Sequence, residues 1–479
     1  MGEQPSFLKN VSLRLLFSLP VRFKGFIILP LLTRMYSNEM YGAWLQILLI
    51  GEILKNLLSL QFGPAIVRYL SAETDQPKII RSVLTTTILL SFFFIIVTLV
   101  FSKPLCRLFF GRHDFKVLLV VSSVWIMIQA CMRIGLSVLR SQEKIGRLSI
   151  RELLSSLWLI SSVIVSFQNG WTLDNLILIC SAGDFILLGW ILIQIGTPFP
   201  LIAPRTSWLI IKKFLPFSLP LIFGSLFLWI TRSVDRFLIV KLLGLSDLAI
   251  YGVSLQVAGI LLFILKPINF VLFPRTSSAW NQNNKEEVSR CFSQAVTMTI
   301  IISLPIITGI FMTSKGLIQL LAGQTFSSNS TIIIFLLFSC MALMIYQNHL
   351  FIIQLIEKTY LLPILFVFTA GVNLVTGYFM VKSFGITGAA ISRLITLVIM
   401  ASVITLWARQ YVKFEIPWLM VAKIALASLL MGTAIKGFPM GSWLELFLKI
   451  ATGTIIFLVA IMLLKVINRG TWSSLKSQF

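Results

Sequence analysis

Apolar segments of about 20 residues recur along the chain, and they constrain its fold more than any other feature. A run of this length is what an α-helix needs to cross roughly 30 Å of hydrocarbon. Because the backbone must satisfy its own hydrogen bonds inside hydrocarbon, these segments are expected to be helical. With 57% hydrophobic and 12% charged residues, the chain has too little polar surface for a water-soluble globule of 479 residues. The sequence therefore predicts an all-α integral membrane protein.

About fourteen membrane-spanning helices are predicted, with no soluble domain between them. Their approximate positions are 11–33, 41–62, 80–101, 117–138, 148–167, 174–195, 214–240, 248–272, 293–313, 331–356, 359–381, 384–407, 415–435 and 443–464.

Two short phrases of sequence occur twice in the same register. YGAWLQI at 41–47 returns as YGVSLQV at 251–257, and Glu143-Lys144 is echoed by Glu357-Lys358. The two matches indicate a duplicated unit of six spans; the alternative is chance recurrence of short words in apolar sequence. Duplicated halves of a membrane transporter usually enclose a substrate site at their interface.

The repeat divides the chain into four predicted parts. Residues 1–195 would form an N-terminal six-helix bundle, and 196–213, which are basic and rich in proline, a cytoplasmic linker. Residues 214–410 would form the C-terminal six-helix bundle. Two additional transmembrane helices and a cytoplasmic tail would occupy 411–479.

The charge of the chain is strongly positive, with 40 Lys and Arg against 17 Asp and Glu. In a soluble protein this would suggest nucleic acid. Here most basic residues outside the spans fall in loops on one side, which the positive-inside rule assigns to the cytoplasm together with both termini. The loop at 102–116 departs from this pattern. A cationic face of this kind attracts anionic membrane lipids, and no nucleic-acid partner is expected.

Charged residues inside the predicted spans are the candidate substrate site, because each costs about 2.5–3.5 kcal/mol on insertion scales. Arg22 and Lys24 lie near the middle of a first span that contains no acid. This indicates either a water-filled cationic cavity or pairing with Asp184 or Asp235 of another helix. Since the arginine fork matches phosphate oxygens, the prediction is an anionic substrate that carries phosphate. The candidate substrate-binding residues are Arg22, Lys24, Arg232, Arg236 and Arg393.

Neutral polar residues in the tenth span allow two interpretations of their role. Gln347, Asn348 and His349 are of the kind that bind sugar hydroxyls, and they are candidate glycan contacts. The same groups can tie helices together. Glu52 and Lys55, three residues apart on one helix, are expected to neutralise each other. The five cysteines show neither paired nor metal-ligand spacing, so neither a metal nor a cofactor is expected.

Four longer stretches carry a family resemblance. They are LPLLTRMYSNEMYGAWLQI (29–47), FGPAIVRYLSAE (62–73), VDRFLIVKLLGLSDLAIYGVSLQV (234–257) and SFGITGAAISR (383–393). In them the chain resembles the multidrug/oligosaccharidyl-lipid/polysaccharide (MOP) exporter superfamily, in its polysaccharide or O-antigen flippase branch. The resemblance implies two six-helix bundles in the V-shaped, alternating-access arrangement of the superfamily's multidrug exporters, plus two C-terminal helices.

The function that this resemblance implies is transport without covalent catalysis. The implied cargo is an undecaprenyl-pyrophosphate-linked oligosaccharide, an O-antigen or other polysaccharide repeat unit, moved from the inner to the outer leaflet of the bacterial cytoplasmic membrane. A sodium or proton gradient would drive it, with Asp235, Asp184 and Glu52 as candidate coupling groups. Polymerase and chain-length proteins of the same pathway would be its partners.

Three alternatives stay open at this stage. A lipid II flippase would share the fourteen spans and the cationic cavity. A multidrug cation antiporter should prefer acidic residues in its cavity, which the excess of cations opposes. An integral-membrane polysaccharide polymerase or glycosyltransferase should carry a long outer loop with catalytic residues, whereas every predicted outer loop is short.

Overall fold

The computed structural model of the protein describes residues 21, 23–70, 75–197, 201, 204–358, 360–438 and 441–465. These residues form helices that are joined by short turns, and α1 covers 23–35. The helices that follow are α2 (Asn38–Leu58), α3 (Phe62–Tyr69), α4 (Gln76–Val100), α5 (Ser102–Phe110), α6 (Lys116–Ser141), α7 (Ile145–Asn169), α8 (Leu173–Gln194), α9 (Pro204–Leu242), α10 (Leu245–Ala258), α11 (Leu265–Asn281), α12 (Lys285–Ala322), α13 (Ile332–Leu355), α14 (Leu361–Arg409), α15 (Trp418–Lys436) and α16 (Trp443–Leu463), with a 3₁₀ segment at Gly259–Ile264 between α10 and α11.

The membrane-spanning character predicted from the sequence is confirmed. Among the described residues, 11 helices are long and apolar enough to cross a membrane, and α2 with α3, bent by 48°, forms one more span if the pair is counted together. The 49-residue α14 is too long for one crossing and contains a break. The all-α fold with about 14 spans therefore agrees with the helices, although part of the first predicted span, 11–33, lies outside the described residues.

The break in α14 converts it into a hairpin of two helices. Gly385 has φ 58° and ψ −139°, a backbone conformation that glycine adopts without the steric cost of a Cβ. At Gly388 a Cβ would lie 1.8 Å from the carbonyl oxygen of Met380, so only glycine allows this approach. Thr376 and Ser392 face each other across the hairpin, with their hydroxyl oxygens 2.8 Å apart. The sequence predicted a boundary close to this break, between residues 381 and 384.

The repeated phrases occupy similar local environments in the two halves of the chain. Tyr41 and Tyr251 are both almost completely buried. Glu143 and Glu357, each two residues after the end of its helix (α6 and α13), both adopt left-handed backbone conformations, with φ 56° and 58°. Gly42 meets a specific packing need, since a Cβ there would lie 2.0 Å from the carbonyl oxygen of Leu245.

The described helices pack as two compact units, with the change between Ala249 and Ile250. In the first unit, α9 contacts α2, α3, α4 and α5. A core cluster that includes Phe62, Ile134 and Phe214 joins α3, α6 and α9. In the second unit, α12 packs against α13 and α15, and α13 packs along α14. The boundary between the two packing units therefore comes after the end of α9, and α9 includes residues 204–213 of the predicted linker. The division of the sequence repeat at 196–213 stays a prediction.

Candidate functional site

Three of the charged residues singled out from the sequence lie in one region of the first unit. Lys24 is in α1, Glu52 in α2 and Asp184 in α8. The charge of Asp184 acts on Lys24 and also on Lys55 of α2, on which Glu52 acts as well. Lys24 therefore lies within electrostatic range of an acid on another helix, and the pairing expected from the sequence stays a prediction.

Asp184 is a buried carboxylate held by neutral donors. Its side chain is 5% exposed. The indole Nε1 of Trp125 donates to Oδ2 at 2.9 Å, and the amide Nε2 of Gln129 donates to the same oxygen at 3.2 Å. The hydroxyl of Ser155 donates to Oδ1 at 3.2 Å. Since a buried charge requires such donors, α6 and α7 are what allow a carboxylate at this position on α8.

Gln129 connects this carboxylate to a cation on α2. The Nζ of Lys55 donates to Oε1 of Gln129 at 3.0 Å, while the Nε2 of the same amide donates to Asp184. The two hydrogen bonds require the same orientation of the Gln129 amide. Lys55 was expected to be neutralised by Glu52 on its own helix; the charge of the exposed Glu52 does act on it, while its hydrogen bond reaches α6. The network therefore joins α2, α6 and α8.

Arg151 belongs to the same region and was missed from the sequence. It is 8% exposed, its Nη2 contacts the sulfur of Met132, and its Nε has no hydrogen-bond partner in the described part of the chain. The charges of Asp184 and Glu152 act on it. A buried guanidinium with an unused N–H is a strong donor for an anion. The sequence did contain a signal for this residue, because Arg151 lies inside the predicted fifth span, 148–167, next to Glu152.

Together these residues form what we call the cationic cluster. It has an excess of one positive charge, and its edge is accessible because Glu52 and Arg133 are exposed while Lys24 and Lys55 are half-buried. Such an arrangement offers N–H donors to a charged group that enters from this edge. The members are four cations and three acids, namely Lys24, Lys55, Arg133, Arg151, Glu52, Glu152 and Asp184.

Four of the other predicted charges lie on α9 and α14. Arg22 is outside the described residues. Asp235 of α9 is fully buried, and Arg236 donates through Nη2 to the carbonyl oxygen of Arg232 and to the hydroxyl of Ser233, both at 3.3 Å. Arg393, on the second helix of the α14 hairpin, is 8% exposed. Their roles in substrate binding and ion coupling stay predictions.

Two of the three candidate glycan contacts tie helices of the second unit together. Asn348 Nδ2 donates to the hydroxyl of Thr299 on α12 at 2.9 Å. His349 contacts the carbonyl oxygen of Ile345 through Nδ1, and its ring centroid lies 4.7 Å from that of Phe414. Both side chains are fully buried, whereas Gln347 on the same helix is half-buried. A glycan contact for these residues stays a prediction.

The chemistry that the cationic cluster supports is reversible binding of an anion. Its donors are ammonium and guanidinium N–H groups, and its one deeply buried acid is already held by three donors from neutral side chains. Among the described residues, no group of three His, Cys, Asp or Glu side chains is arranged to hold a metal ion.

Sequence comparison identifies a family and a relative whose descriptions concern polysaccharide or glycan biosynthesis. Residues 31–331 match the model of a family described as polysaccharide biosynthesis protein. A protein of Haloferax volcanii described as the probable low-salt glycan biosynthesis flippase Agl15 is 20% identical over 369 residues, which cover 76% of each chain.

Structural comparison finds the same fold in transporters. A structure of the lipid II flippase MurJ in an inward closed conformation has a TM-score of 0.75 at 18% identity, covering 94% of this chain and 98% of the other. An inward-facing multidrug resistance transporter of the MATE family, from the MOP superfamily, has a TM-score of 0.61 at 16% identity, covering 83% and 94%. At these identities the likeness shows the fold.

Proposed function

Because the chain belongs to the polysaccharide biosynthesis protein family, we propose that it is a flippase of the MOP superfamily that carries lipid-linked oligosaccharides. The cargo in this proposal is an undecaprenyl-diphosphate-linked repeat unit, such as an O-antigen unit, moved from the inner to the outer leaflet of a bacterial cytoplasmic membrane by alternating access. Polymerase and chain-length proteins would receive it there.

The observation that carries this proposal is the cationic cluster inside a membrane-spanning unit. A cation within hydrocarbon is costly unless it has partners or a cavity, and here four cations outnumber the acids near them. A diphosphate supplies the missing negative charge. The unused Nε of Arg151 and the half-buried ammonium of Lys24 are the donors that a diphosphate would engage first. A site for lipophilic cations would need the opposite charge balance.

In the proposed cycle Asp184 competes with the cargo for the nearby cations. With its carboxylate ionised, Lys24 and Arg151 are partly neutralised; once a proton or a sodium ion occupies the carboxylate, the field that they present to a diphosphate becomes more positive. Asp184, Asp235 and Glu52 therefore remain the candidate coupling groups. If Asp184 couples transport to a gradient, Asp184→Asn should transport at a rate that no longer responds to an imposed proton or sodium gradient.

The test is transport of a defined cargo by purified protein in sealed vesicles. The measured quantity is the rate at which the glycan of an undecaprenyl-diphosphate oligosaccharide becomes accessible to an impermeant glycosidase. Lys24→Gln/Lys55→Gln should slow this rate at least tenfold, since two charge-assisted hydrogen bonds of about 1.5–3 kcal/mol each are lost. The matched control is Lys103→Gln/Lys116→Gln, which removes the same charge at two exposed positions outside the cluster.

Equal transport rates for the two double variants would show that the cationic cluster is not part of the cargo-binding site. Lipid II and a lipophilic cation serve as competing cargoes in the same vesicles. Faster transport of lipid II would favour the lipid II alternative, and transport of the cation alone would overturn the proposal.

A further inference from the structure

The α14 hairpin, which the proposed function does not use, contains a groove at the end opposite its turn. One wall comes from the first two turns of the hairpin, 361–368, and the other from its last two turns, 403–410. We call this the hairpin groove. Its volume is about 530 Å³, and its lining is apolar apart from Gln410 and the indole nitrogen of Trp407. Ile364 and Leu406 are each about two-thirds exposed along it, so the groove opens sideways toward the surroundings of the helices.

The groove follows from the geometry of the hairpin. Near the turn the two helices touch, because Gly388 lies against the backbone of Met380. Eight residues of helix span about 12 Å, so 361–368 provides a channel of that length along the helix axis. A channel of this length, apolar along most of its lining and open to the side, suits part of a hydrocarbon chain.

Cations are fixed at the rim of the groove by aromatic contacts. The Nζ of Lys358 donates to the hydroxyl of Tyr411 at 2.9 Å and lies 5.0 Å from the centroid of that ring. Tyr411 directly follows Gln410, the polar end of the groove. The guanidinium carbon of Arg409 lies 5.0 Å from the ring centroid of Phe414. Through Tyr411 the ammonium of Lys358 is held near Gln410, and Arg409 directly precedes Gln410 in the chain.

The rim is positively charged at neutral pH. The hydrogen bond with Tyr411 raises the pKa of Lys358, so its ammonium keeps its proton. With Lys413 the segment has three cations, against the acids Glu357 and Glu415. The loops at 356–360 and 410–417 both fall on the side that the positive-inside rule assigns to the cytoplasm. This is the leaflet in which anionic phospholipids attract basic segments, at about 1 kcal/mol per cation near the surface.

We propose that the hairpin groove binds one acyl chain of an anionic phospholipid, whose phosphate is held at the rim by Lys358 and Arg409. The hydrocarbon fills the apolar channel between the two helices, and the headgroup pairs with the cations at its mouth. The site is distinct from the cationic cluster, which lies in the other compact unit. The bound lipid is a resident component of the protein and not its cargo.

A second groove in the same unit provides an internal comparison. It lies between α13 and the second helix of the hairpin, has a volume of about 410 Å³, and is lined by residues that include Phe338, Ile345 and Val398. Its lining contains no charged side chain among the described residues. Because the lining of the hairpin groove is also uncharged, the second groove serves as a steric control for lipid binding.

The experiment is a titration of the detergent-purified full-length protein with phosphatidylglycerol or phosphatidylcholine, read by native mass spectrometry. The wild type should bind phosphatidylglycerol more tightly than phosphatidylcholine. Lys358→Gln/Arg409→Gln should weaken phosphatidylglycerol binding about 30-fold, since two cations near the surface are removed, and leave phosphatidylcholine binding unchanged. Lys212→Gln/Lys285→Gln, at two exposed positions that do not line the groove, controls for the loss of two charges.

A steric variant tests the channel itself. Val403→Trp places a large side chain in the hairpin groove and should weaken binding of phosphatidylglycerol, whereas Val398→Trp, in the second groove, should not. Equal affinity for the two lipids in the wild type, or equal effects of the two tryptophan variants, would overturn the proposal. Displacement of phosphatidylglycerol by undecaprenyl diphosphate at matched concentration would also overturn it, because the groove would then belong to the cargo. None of these readouts depends on transport.

Discussion

Removing one hydrogen bond to Asp184 gives the sharpest test of how the buried carboxylate is maintained. Trp125→Phe deletes the indole N–H that donates to Asp184 at 2.9 Å, and it keeps a ring against Trp44, whose centroid lies 5.8 Å away. A hydrogen bond to a charged group contributes about 1.5–3 kcal/mol. Trp158→Phe is the matched control, because its N–H donates at 3.0 Å to the neutral carbonyl of Ile179. A neutral bond contributes about 0.5–1.5 kcal/mol, so the first variant should lose more stability.

The cysteines of the protein make this difference measurable. All five are unpaired and buried, so a thiol-reactive dye reports unfolding in detergent as the fraction of SDS is raised. In an Asp184→Asn background the charge is absent, and the cost of Trp125→Phe should fall to the range of the control. A double-mutant cycle of this kind isolates the pairwise energy. If Trp158→Phe costs as much as Trp125→Phe, or if Asp184→Asn leaves the difference unchanged, the carboxylate is not the acceptor that stabilises α6 against α8.

Two further predictions concern packing. Gly42→Ala should destabilise the first unit by about 1–3 kcal/mol in the same dye assay, because its Cβ would lie 2.0 Å from the carbonyl oxygen of Leu245. The control is Gly189→Ala, where a Cβ meets no described atom within 4 Å; this variant should be neutral or slightly stabilising. Asn348→Leu should cost about 1 kcal/mol, because it removes the bond to Thr299, and it should leave the concentration dependence of oligosaccharide transport unchanged. A weaker apparent affinity for cargo with unchanged stability would instead support the glycan contact predicted from the sequence.

The membrane-spanning helices were predictable because the property that defines them is local. A helix must cover about 30 Å of hydrocarbon, and this requirement is met or failed within some 20 consecutive residues. The boundary inside α14 was visible for the same reason, since Gly385 adopts a conformation suited to glycine and lies where the apolar pattern pauses. The resemblance to the MOP superfamily, carried by four stretches of sequence, agrees with the family match and with the shared fold.

The partners of the buried charges were predictable only in part. The sequence identified Lys24 and Asp184 as ions that needed explanation, and the structure places them within electrostatic range of each other. It assigned Lys55 to Glu52 because residues three apart share a helical face, whereas the hydrogen bond of Lys55 reaches Gln129 on α6. Sequence spacing ranks neighbours within one helix and contains no information about the rotation of that helix against another.

Sequence alone determined the class of this protein, the positions of most of its spans, its family and the excess of cations within the membrane. Tertiary structure decided which charges meet: α6 contributes Trp125 and Gln129, α7 contributes Arg151 and Ser155, and α8 contributes Asp184. It also created the groove in the α14 hairpin. The physical reason is that insertion depends on the composition of single segments, whereas a site depends on the relative rotation of several helices, which only their mutual packing determines.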